Sequence, residues 1–276
     1  MTQKIKIDAS VVLPVYNRVD LKNMFEIVIE SIVNNSVVPR EIIVVLDGPI
    51  DDEFQAIVNT LEKKYALSIK KMTAQGGLTK ALNFGIQNAK FDLIIRCDGD
   101  DVNEERRFER IWELYLEGYD LIGSNMREYD ASGIFIAERR VPETQAKIIG
   151  FCMRRNPFNH MTAAFSKSAW CKVGGYPDVY LREDWALWCM MLANGVKARN
   201  IQENLVRVSA GDGMYQRRSG WKNVLGEWKM QKLLIRELGK SPTLALLDFC
   251  LRGVIFVSPK WLIKYIYTKY LRGVIA

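Results

Sequence analysis

Strand patterns and amphipathic helix patterns alternate along residues 10–124. Apolar, β-branched runs predict strands at 10–16, 41–46, 68–71, 91–97 and 120–124, and helical periodicity predicts helices at 20–34, 52–65, 78–89 and 104–116. Such an alternation predicts an α/β fold, with a Rossmann-like, mostly parallel sheet covered by helices. In a fold of this class, ligands bind beyond the carboxyl ends of the strands.

Polar side chains stand where three of these strands end. Asn17 follows the first strand, Asp47 the second and Asp98 the fourth. Because parallel strands present their carboxyl ends at one edge of the sheet, we expect these three residues to meet at a single ligand site.

The regular alternation stops after residue 124. The remaining sequence predicts a hairpin at 126–141 turning at 130–133, a helix at 143–155, a turn at Gly174-Gly175, a helix at 183–193, a basic helix at 220–238 stopped by Gly239, and two more helices. We therefore expect one domain over 1–218, with a change of pattern at about residue 125. Residues 219–276 are expected to form a basic, aromatic helical extension.

The segment Asp98-Gly99-Asp100-Asp101 places three carboxylates within four residues. Carboxylates so close repel one another unless water, a cation or a basic partner compensates their charge. Mg²⁺ and Mn²⁺ prefer oxygen ligands and combine a few carboxylates with substrate phosphates. Spacing alone fits a solvated acidic turn equally well, but the position after a buried strand favours a site for a metal and a diphosphate.

Residues at the first two strand ends predict a nucleotide pocket beside this segment. We expect Pro14, Tyr16 and Asn17 to form its floor and Asp47 to accept hydrogen bonds from a base or ribose. The Asp-Gly-Pro sequence that begins at Asp47 is also an ordinary turn signal. Lys80, at the start of a predicted helix, is a weaker candidate for binding the nucleotide-linked donor, because surface lysines are common there.

Glu183-Asp184-Trp185 opens a predicted helix. Carboxylates are favoured electrostatically in a first helical turn, so these two acids can be explained as a cap. A carboxylate at a ligand crevice can also remove a proton from an acceptor hydroxyl, which makes Asp184 the candidate general base. Glu183 is a candidate acceptor contact, and Trp185 and Trp188 offer a surface for stacking on a sugar.

Two further segments are candidates for ligand contacts. His160 is the only histidine, and a lone histidine is more often structural than catalytic; its polar loop makes Asn159 and His160 candidates for contact with a phosphate or an acceptor hydroxyl. Arg217 and Arg218 follow a glycine-rich segment and are expected to fold over a diphosphate through charge-assisted hydrogen bonds. A solvated basic loop is the alternative for the two arginines.

Positive charge is concentrated near the C-terminus. The formal charge is +7, and no Asp or Glu follows Asp248, whereas residues 260–272 mix lysine and arginine with tryptophan and tyrosine. This composition suits an anionic membrane surface, and a helix packed on the catalytic domain is the alternative. We expect no nucleic-acid partner, because the basic stretch lacks a recognisable reading motif. The apolar stretch at 244–257 is interrupted by charge and short for a membrane span.

These segments resemble, in this order, the bacterial family-two glycosyltransferases, which have the GT-A fold. The matching segments are SVVLPVYN at 10–17, EIIVVLD at 41–47, RCDGDD at 96–101 and EDW at 183–185. They are similar to the opening strand of the family, its second strand, its D-x-D region and its catalytic-base segment. The resemblance extends over roughly residues 7–218. It implies a catalytic domain over 1–218, with a donor half at about 1–125 and an acceptor half at about 126–218.

The resemblance implies an inverting transfer from a UDP-sugar, with galactose or glucose favoured. Asp47 would contact the nucleotide, Asp98 and Gly99 would lie against the diphosphate, and Asp98 and Asp100 would hold Mn²⁺ or Mg²⁺. Asp184 would deprotonate the acceptor hydroxyl. Arg217 or Arg218 would assist the leaving group.

The basic tail and the loop at 156–160 are similar to transferases that build bacterial O-antigen or exopolysaccharide repeat units. The implied acceptor is a polyprenyl-diphosphate-linked saccharide, and the implied location is the cytoplasmic face of the inner membrane, as a peripheral protein. A processive synthase would carry several membrane spans and a Gln-x-x-Arg-Trp motif. Residues 216–221 match that motif only loosely, so we expect a single addition.

Other protein classes fit the sequence less well. Neither a nucleotide-sugar pyrophosphorylase nor an NAD-dependent dehydrogenase is expected, because no glycine-rich loop follows the first strand. The alternative from a different class is a noncatalytic, membrane-associated carbohydrate- or nucleotide-binding protein.

Overall fold

The computed structural model describes residues 4–130, 132–209 and 220–257. Its strands are β1 (Ile5–Val15), β2 (Val37–Leu46), β3 (Ser68–Lys71), β4 (Leu93–Arg96), β5 (Val102–Asn103), β6 (Leu121–Tyr129), β7 (Phe135–Arg139), β8 (Ala164–Ser166) and β9 (Ala198–Ser209). Its helices are α1 (Val19–Val33), α2 (Asp52–Tyr65), α3 (Leu78–Gln87), α4 (Arg107–Leu116), α5 (Gln145–Cys152), α6 (Lys167–Lys172), α7 (Glu183–Ala193), α8 (Trp221–Leu238) and α9 (Pro242–Val257). A short 3-10 turn spans His160–Thr162.

The strands form one sheet in the order β3-β2-β1-β4-β8-β6-β9-β5, with β7 paired to β6. The first four strands of that order are mutually parallel. Strand β8 runs antiparallel to both β4 and β6 and so joins this parallel unit to the parallel β6–β9 pair. The predicted α/β fold with a helix-covered, Rossmann-like sheet is confirmed.

Helices cover both faces of the sheet because its central strands are apolar on both sides. Val11 and Leu13 of β1 face a core built with α1, α2 and α4, whereas Val12 faces a core built with α3 and α5 to α8. Trp188 of α7 is fully buried in the second core.

Local sequence sets several element ends. The Asp51 side chain accepts a hydrogen bond of 2.9 Å from the Phe54 N–H and caps α2. Asp130 accepts from the Ser132 and Ile134 N–H groups in the predicted β6–β7 hairpin. Helix α8 ends at Gly239, whose φ of 67° is left-handed, so the predicted glycine stop is confirmed.

Helix α8 packs directly on the body of the protein. Met230, Leu233 and Leu234 join the core that contains α7. A Cβ atom added at Gly226 would lie 2.6 Å from the Tyr180 carbonyl oxygen, so this close approach requires glycine. The expected division after residue 218 stays a prediction, as does the second of the two C-terminal helices, which falls outside the described residues.

None of the helices among the described residues is long and apolar enough to cross a membrane.

Candidate active site

Three carboxylates converge where β4 ends. One oxygen of each of Asp98, Asp100 and Asp101 lies within 4.8 Å of the others. The turn runs tightly against β1, since a Cβ atom added at Gly99 would lie 2.7 Å from Val15 Cγ1. A compact set of hard oxygen donors at the carboxyl edge of a parallel sheet fits Mg²⁺ or Mn²⁺.

Two arginines neutralise part of this negative charge. Both terminal guanidinium nitrogens of Arg96 contact the Asp98 carboxylate at 2.5 Å, and Arg18 donates to Asp100 at 2.5 Å. Burial nevertheless raises the pKa of Asp101 well above its usual range, with further contributions from the charges of Asp98 and Asp100. Burial and the Asp98 charge also raise the pKa of Asp100, although Arg18 opposes the shift. A divalent cation would offset the burial and the mutual repulsion that disfavour the ionised forms of Asp100 and Asp101.

Arg96 is a site residue that the sequence reasoning did not single out. Its side chain is buried at the end of β4, and its backbone carbonyl accepts a 2.7 Å hydrogen bond from the fully buried Arg107. Arg107 also donates to the Met161 carbonyl at 3.0 Å. An arginine at the end of an apolar strand, immediately before an acidic cluster, is the sequence signal that identifies it.

Asp47 holds the loop that precedes α3. Its two carboxylate oxygens accept hydrogen bonds from the Gly76 N–H at 2.6 Å and the Gly77 N–H at 2.9 Å. Lys80 is exposed, and its stem packs beside Gly76, so Asp47 and Lys80 border the same loop. Asp47 is 95% buried, so the geometry favours a role in shaping this loop, and its direct contact to a nucleotide stays a prediction.

Residues at the end of β1 lie partly in the sheet and partly at the edge that carries the acidic cluster. Tyr16 is half-buried, and its hydroxyl accepts a 3.0 Å hydrogen bond from Arg18, which links it to the acidic cluster. Asn17 is exposed at the same edge. Pro14, in contrast, is buried opposite Val45 of β2, so the expectation that it lines the pocket floor is corrected to a place inside the sheet.

Glu183 and Asp184 lie together at the start of α7. Asp184 accepts hydrogen bonds from the Asn156 side-chain amide at 2.6 Å and from the Trp185 N–H at 2.7 Å. Burial raises the pKa of Asp184. Burial and the charge of Asp184 raise the pKa of Glu183 to about 7. Adjacent carboxylates of raised pKa are suited to proton transfer near neutral pH.

Two side chains of the loop at 156–160 make hydrogen bonds within the protein, and contact of His160 with an acceptor or a phosphate stays a prediction. His160 Nε2 lies 2.9 Å from the Tyr176 hydroxyl, and burial, with a contribution from the Arg96 charge, holds the His160 pKa well below its usual range. The histidine is therefore neutral. Asn159 is buried, and its amide donates to the Ser124 and Arg139 carbonyls, so direct acceptor contact by Asn159 is corrected to a structural role.

The two tryptophans of α7 are core residues. Trp188 is fully buried, and Trp185 is 95% buried with its indole N–H donated to the Cys152 carbonyl at 3.0 Å. The expected sugar-stacking surface at Trp185 and Trp188 is therefore wrong, because helical periodicity turns both rings toward the core.

Tyr180, 44% exposed just before α7, is an aromatic side chain open to solvent near Glu183. Arg217 and Arg218 lie outside the described residues.

The family described as "Glycosyl transferase family 2" matches residues 10–174, which is more than half of the chain. The chain belongs to glycosyl transferase family 2. The matched region contains the strand ends and the acidic cluster, and the match confirms the resemblance on which the site was first assigned. The protein is a glycosyltransferase.

Several characterised and uncharacterised bacterial proteins are similar along most of their length. An uncharacterised glycosyltransferase of Haemophilus influenzae is 35% identical over 248 residues, covering 88% of this chain and 91% of the relative. The UDP-Gal:alpha-D-GlcNAc-diphosphoundecaprenol beta-1,3-galactosyltransferase of Escherichia coli is 34% identical, covering 88% and 90%. The amylovoran biosynthesis glycosyltransferase AmsE of Erwinia amylovora is 29% identical, covering 96% and 99%.

Solved structures confirm the GT-A fold. S. aureus TarS 1-349 in complex with UDP-GlcNAc matches with a TM-score of 0.68 and 15% identity, covering 96% of this chain and 76% of that one. The mannosyltransferase PcManGT from Pyrobaculum calidifontis, in complex with GDP-Man and Mn²⁺, matches with a TM-score of 0.61 and 15% identity, covering 97% and 80%.

Proposed function

We propose that this glycosyltransferase is a metal-dependent, inverting enzyme that transfers a hexose from a UDP-sugar to a polyprenyl-diphosphate-linked saccharide. The observation that carries the proposal is the convergence of Asp98, Asp100 and Asp101 within 4.8 Å at the edge of the sheet. Two half-buried carboxylates and one buried carboxylate after β4 of a GT-A fold suit a cation that accompanies a diphosphate. The proposed product contributes to O-antigen or exopolysaccharide synthesis.

Asp98 and Asp100 are the proposed metal ligands, with Mn²⁺ or Mg²⁺ as the ion. A bound divalent ion supplies Lewis-acid stabilisation of the negative charge that develops on the departing diphosphate. Arg96 and Arg18 orient the two carboxylates through their contacts with Asp98 and Asp100. Gly99, in the same turn, is proposed to lie against the donor diphosphate. Arg217 and Arg218 remain candidates for assisting the leaving group.

Asp184 is the proposed general base. Asn156 and the Trp185 N–H fix its carboxylate, each taking one lone pair and leaving others to accept the proton of an acceptor hydroxyl. That hydroxyl then attacks the anomeric carbon from the face opposite the diphosphate, which inverts the configuration. Glu183, with its pKa raised to about 7, is the proposed acceptor contact beside the base.

The donor and acceptor classes are proposed from similarity. The Escherichia coli relative is described as using UDP-Gal and a GlcNAc-diphosphoundecaprenol acceptor, and it covers 88% of this chain. UDP-galactose is therefore the first donor to test and UDP-glucose the second. An acceptor of this class lies in a bilayer, so we propose that the enzyme works as a peripheral protein at the cytoplasmic face of the inner membrane.

The test begins with thermal unfolding in the presence of UDP-, GDP- and dTDP-sugars, each with and without Mn²⁺. A ligand selective for the folded protein raises its apparent stability, and a hundredfold excess over Kd contributes about 2.7 kcal/mol. Manganese-dependent stabilisation by the UDP series, followed by transfer to a GlcNAc-diphosphate-lipid, is the expected result. Absence of stabilisation by every nucleotide sugar would contradict the proposal.

A further inference from the structure

Helix α9 is amphipathic, but its apolar face is exposed and its charged side chains face the protein. Its two charged side chains point inward: Asp248 accepts from the buried Lys240 at 2.6 Å, and Arg252 donates to the fully buried Glu227 at 2.9 Å. Its leucines point outward instead. Leu244, Leu246, Leu247 and Leu251 are each between 49% and 59% exposed. An apolar outer face with polar residues turned inward indicates that something other than water covers this helix.

Helix α8 extends the same surface. Trp221, Leu225 and Trp228 are 75%, 59% and 40% exposed, and at 3.6 residues per turn they fall within about 60° of one another. Trp228 packs against Phe249 of α9 with ring centroids 5.2 Å apart, so the apolar residues of the two helices adjoin. We call these seven exposed residues the apolar surface. They are Trp221, Leu225, Trp228, Leu244, Leu246, Leu247 and Leu251.

Exposed cations border the apolar surface. Lys222, Lys229 and Lys232 of α8 are all exposed, and the Lys232 ammonium lies 5.0 Å from the centroid of the Trp228 ring. In residues 221–257, every acidic side chain has a basic partner: Glu227 pairs with two arginines, Glu237 with Arg236 and Asp248 with Lys240. Two helices that present apolar residues beside unopposed cations complement a surface that is apolar inside and anionic outside.

We propose that the apolar surface of α8 and α9 docks this enzyme on an anionic phospholipid bilayer. Tryptophan and leucine enter the boundary between headgroups and acyl chains, and the bordering lysines interact with anionic headgroups. The sequence beyond residue 257 continues with four cations and no acid. A symmetric contact between two copies would instead bring the same lysines together.

The docked helices are tied to the catalytic residues. Arg182, which immediately precedes Glu183 and Asp184, donates to Glu227 of α8 at 2.8 Å, and Arg252 of α9 lies 5.2 Å from the centroid of the Trp185 ring. The start of α7 is thereby fixed to the helices that would lie on the bilayer. The inference rests on the proposed function in one respect, since a lipid-linked diphosphate presented at the headgroups would then approach Asp184.

The experiment measures sedimentation of the full chain with sucrose-loaded vesicles of phosphatidylcholine, with and without phosphatidylglycerol. Wild-type protein is expected to bind the anionic vesicles and to be released by high salt. The double variant Leu247→Gln/Leu251→Gln should lower the partition coefficient at least about tenfold, because each leucine loses its apolar burial. Leu116→Gln, at a leucine 67% exposed at the end of α4, is the matched control and should bind like wild type. Circular dichroism confirms that each variant is folded.

Three results would overturn the inference. Equal vesicle binding by the double variant and wild type would show that α9 does not enter the bilayer. A wild-type dimer in light scattering that the double variant converts to monomer would assign the surface to a second copy. Loss of binding on truncation after residue 257, with no loss in the double variant, would assign docking to residues 258–276 alone.

Vesicle binding needs neither donor nor acceptor, so it is independent of the proposed reaction. In a parallel assay, the double variant should retain transfer to a water-soluble, short-chain diphosphate saccharide and lose transfer to the same saccharide carried in vesicles. Failure of wild-type protein to glycosylate either acceptor, with vesicle binding intact, would contradict the proposed function and leave the docking surface standing.

Discussion

Glu227 is a buried carboxylate whose removal should strongly destabilise the protein. It is fully buried on α8 and accepts hydrogen bonds from Arg182 at 2.8 Å, Arg252 at 2.9 Å and Gln231 at 2.7 Å. Glu227→Gln preserves the shape of the side chain but leaves two guanidinium groups without their counter-charge. Breaking a buried ion pair in this way costs about 3–5 kcal/mol. The Arg252 side chain retains 24% exposure, which screens part of the loss, so we expect a value near the lower end.

Urea unfolding followed by near-ultraviolet circular dichroism measures this loss. A decrease of about 3 kcal/mol corresponds to a fall in Tm of at least about 6 °C for a chain of this size. Glu237→Gln is the matched control on the same helix, because its partner Arg236 is 72% exposed and such pairs contribute about 0–1 kcal/mol. If Glu227→Gln unfolded at the same urea concentration as Glu237→Gln, the assignment of a stabilising buried charge network would be refuted.

The other predictions concern the site. Asp184→Asn should lower kcat by at least about a hundredfold, as expected on loss of a general base, with donor affinity by calorimetry unchanged; full transfer activity would exclude Asp184 as the base. Asp100→Ala should weaken manganese-dependent binding of the UDP-sugar in calorimetry, and equal affinity with and without Mn²⁺ in wild type would count against the metal site. Because the pKa of Glu183 is raised from 4.5 to about 7, its contribution to folding is complete below about pH 4.5 and is lost as the pH rises through 7. Metal-free urea unfolding should show that loss in wild type and a smaller one in Glu183→Gln; identical profiles would contradict the raised pKa.

The parallel half of the fold follows from local sequence. Apolar runs and amphipathic stretches predicted β1 to β4 with the helices between them, because a strand covered on both faces is apolar at consecutive positions. Strands β5, β8 and β9 were not predicted. The first two contain two and three residues, too few for a period to be read, and β9 mixes polar and apolar residues without regular alternation.

The accessibility of aromatic and polar side chains was not predicted correctly from the sequence. Periodicity identifies residues that share a helix face, but it does not say whether that face meets solvent or another helix. Trp185 and Trp188 were therefore predicted to form a ligand surface, although they belong to the core. Asn159 was predicted as an acceptor contact from its polar loop, although its amide is hydrogen-bonded within the protein.

The sequence by itself determined the fold class, the family, the acidic cluster and the pair at Glu183 and Asp184, because each is encoded in residues adjacent along the chain. Only the tertiary structure decided their partners. Asn156 reaches Asp184 across 28 residues, and Arg18 reaches Asp100 across 82. The tertiary structure also decided which face of α9 meets the protein. The sequence shows its leucines only as an apolar stretch, whereas in the fold they are exposed and the charged side chains face inward. Contacts between residues that are distant in sequence depend on how helices and strands pack. The counter-ion of a buried charge is therefore set by the tertiary structure.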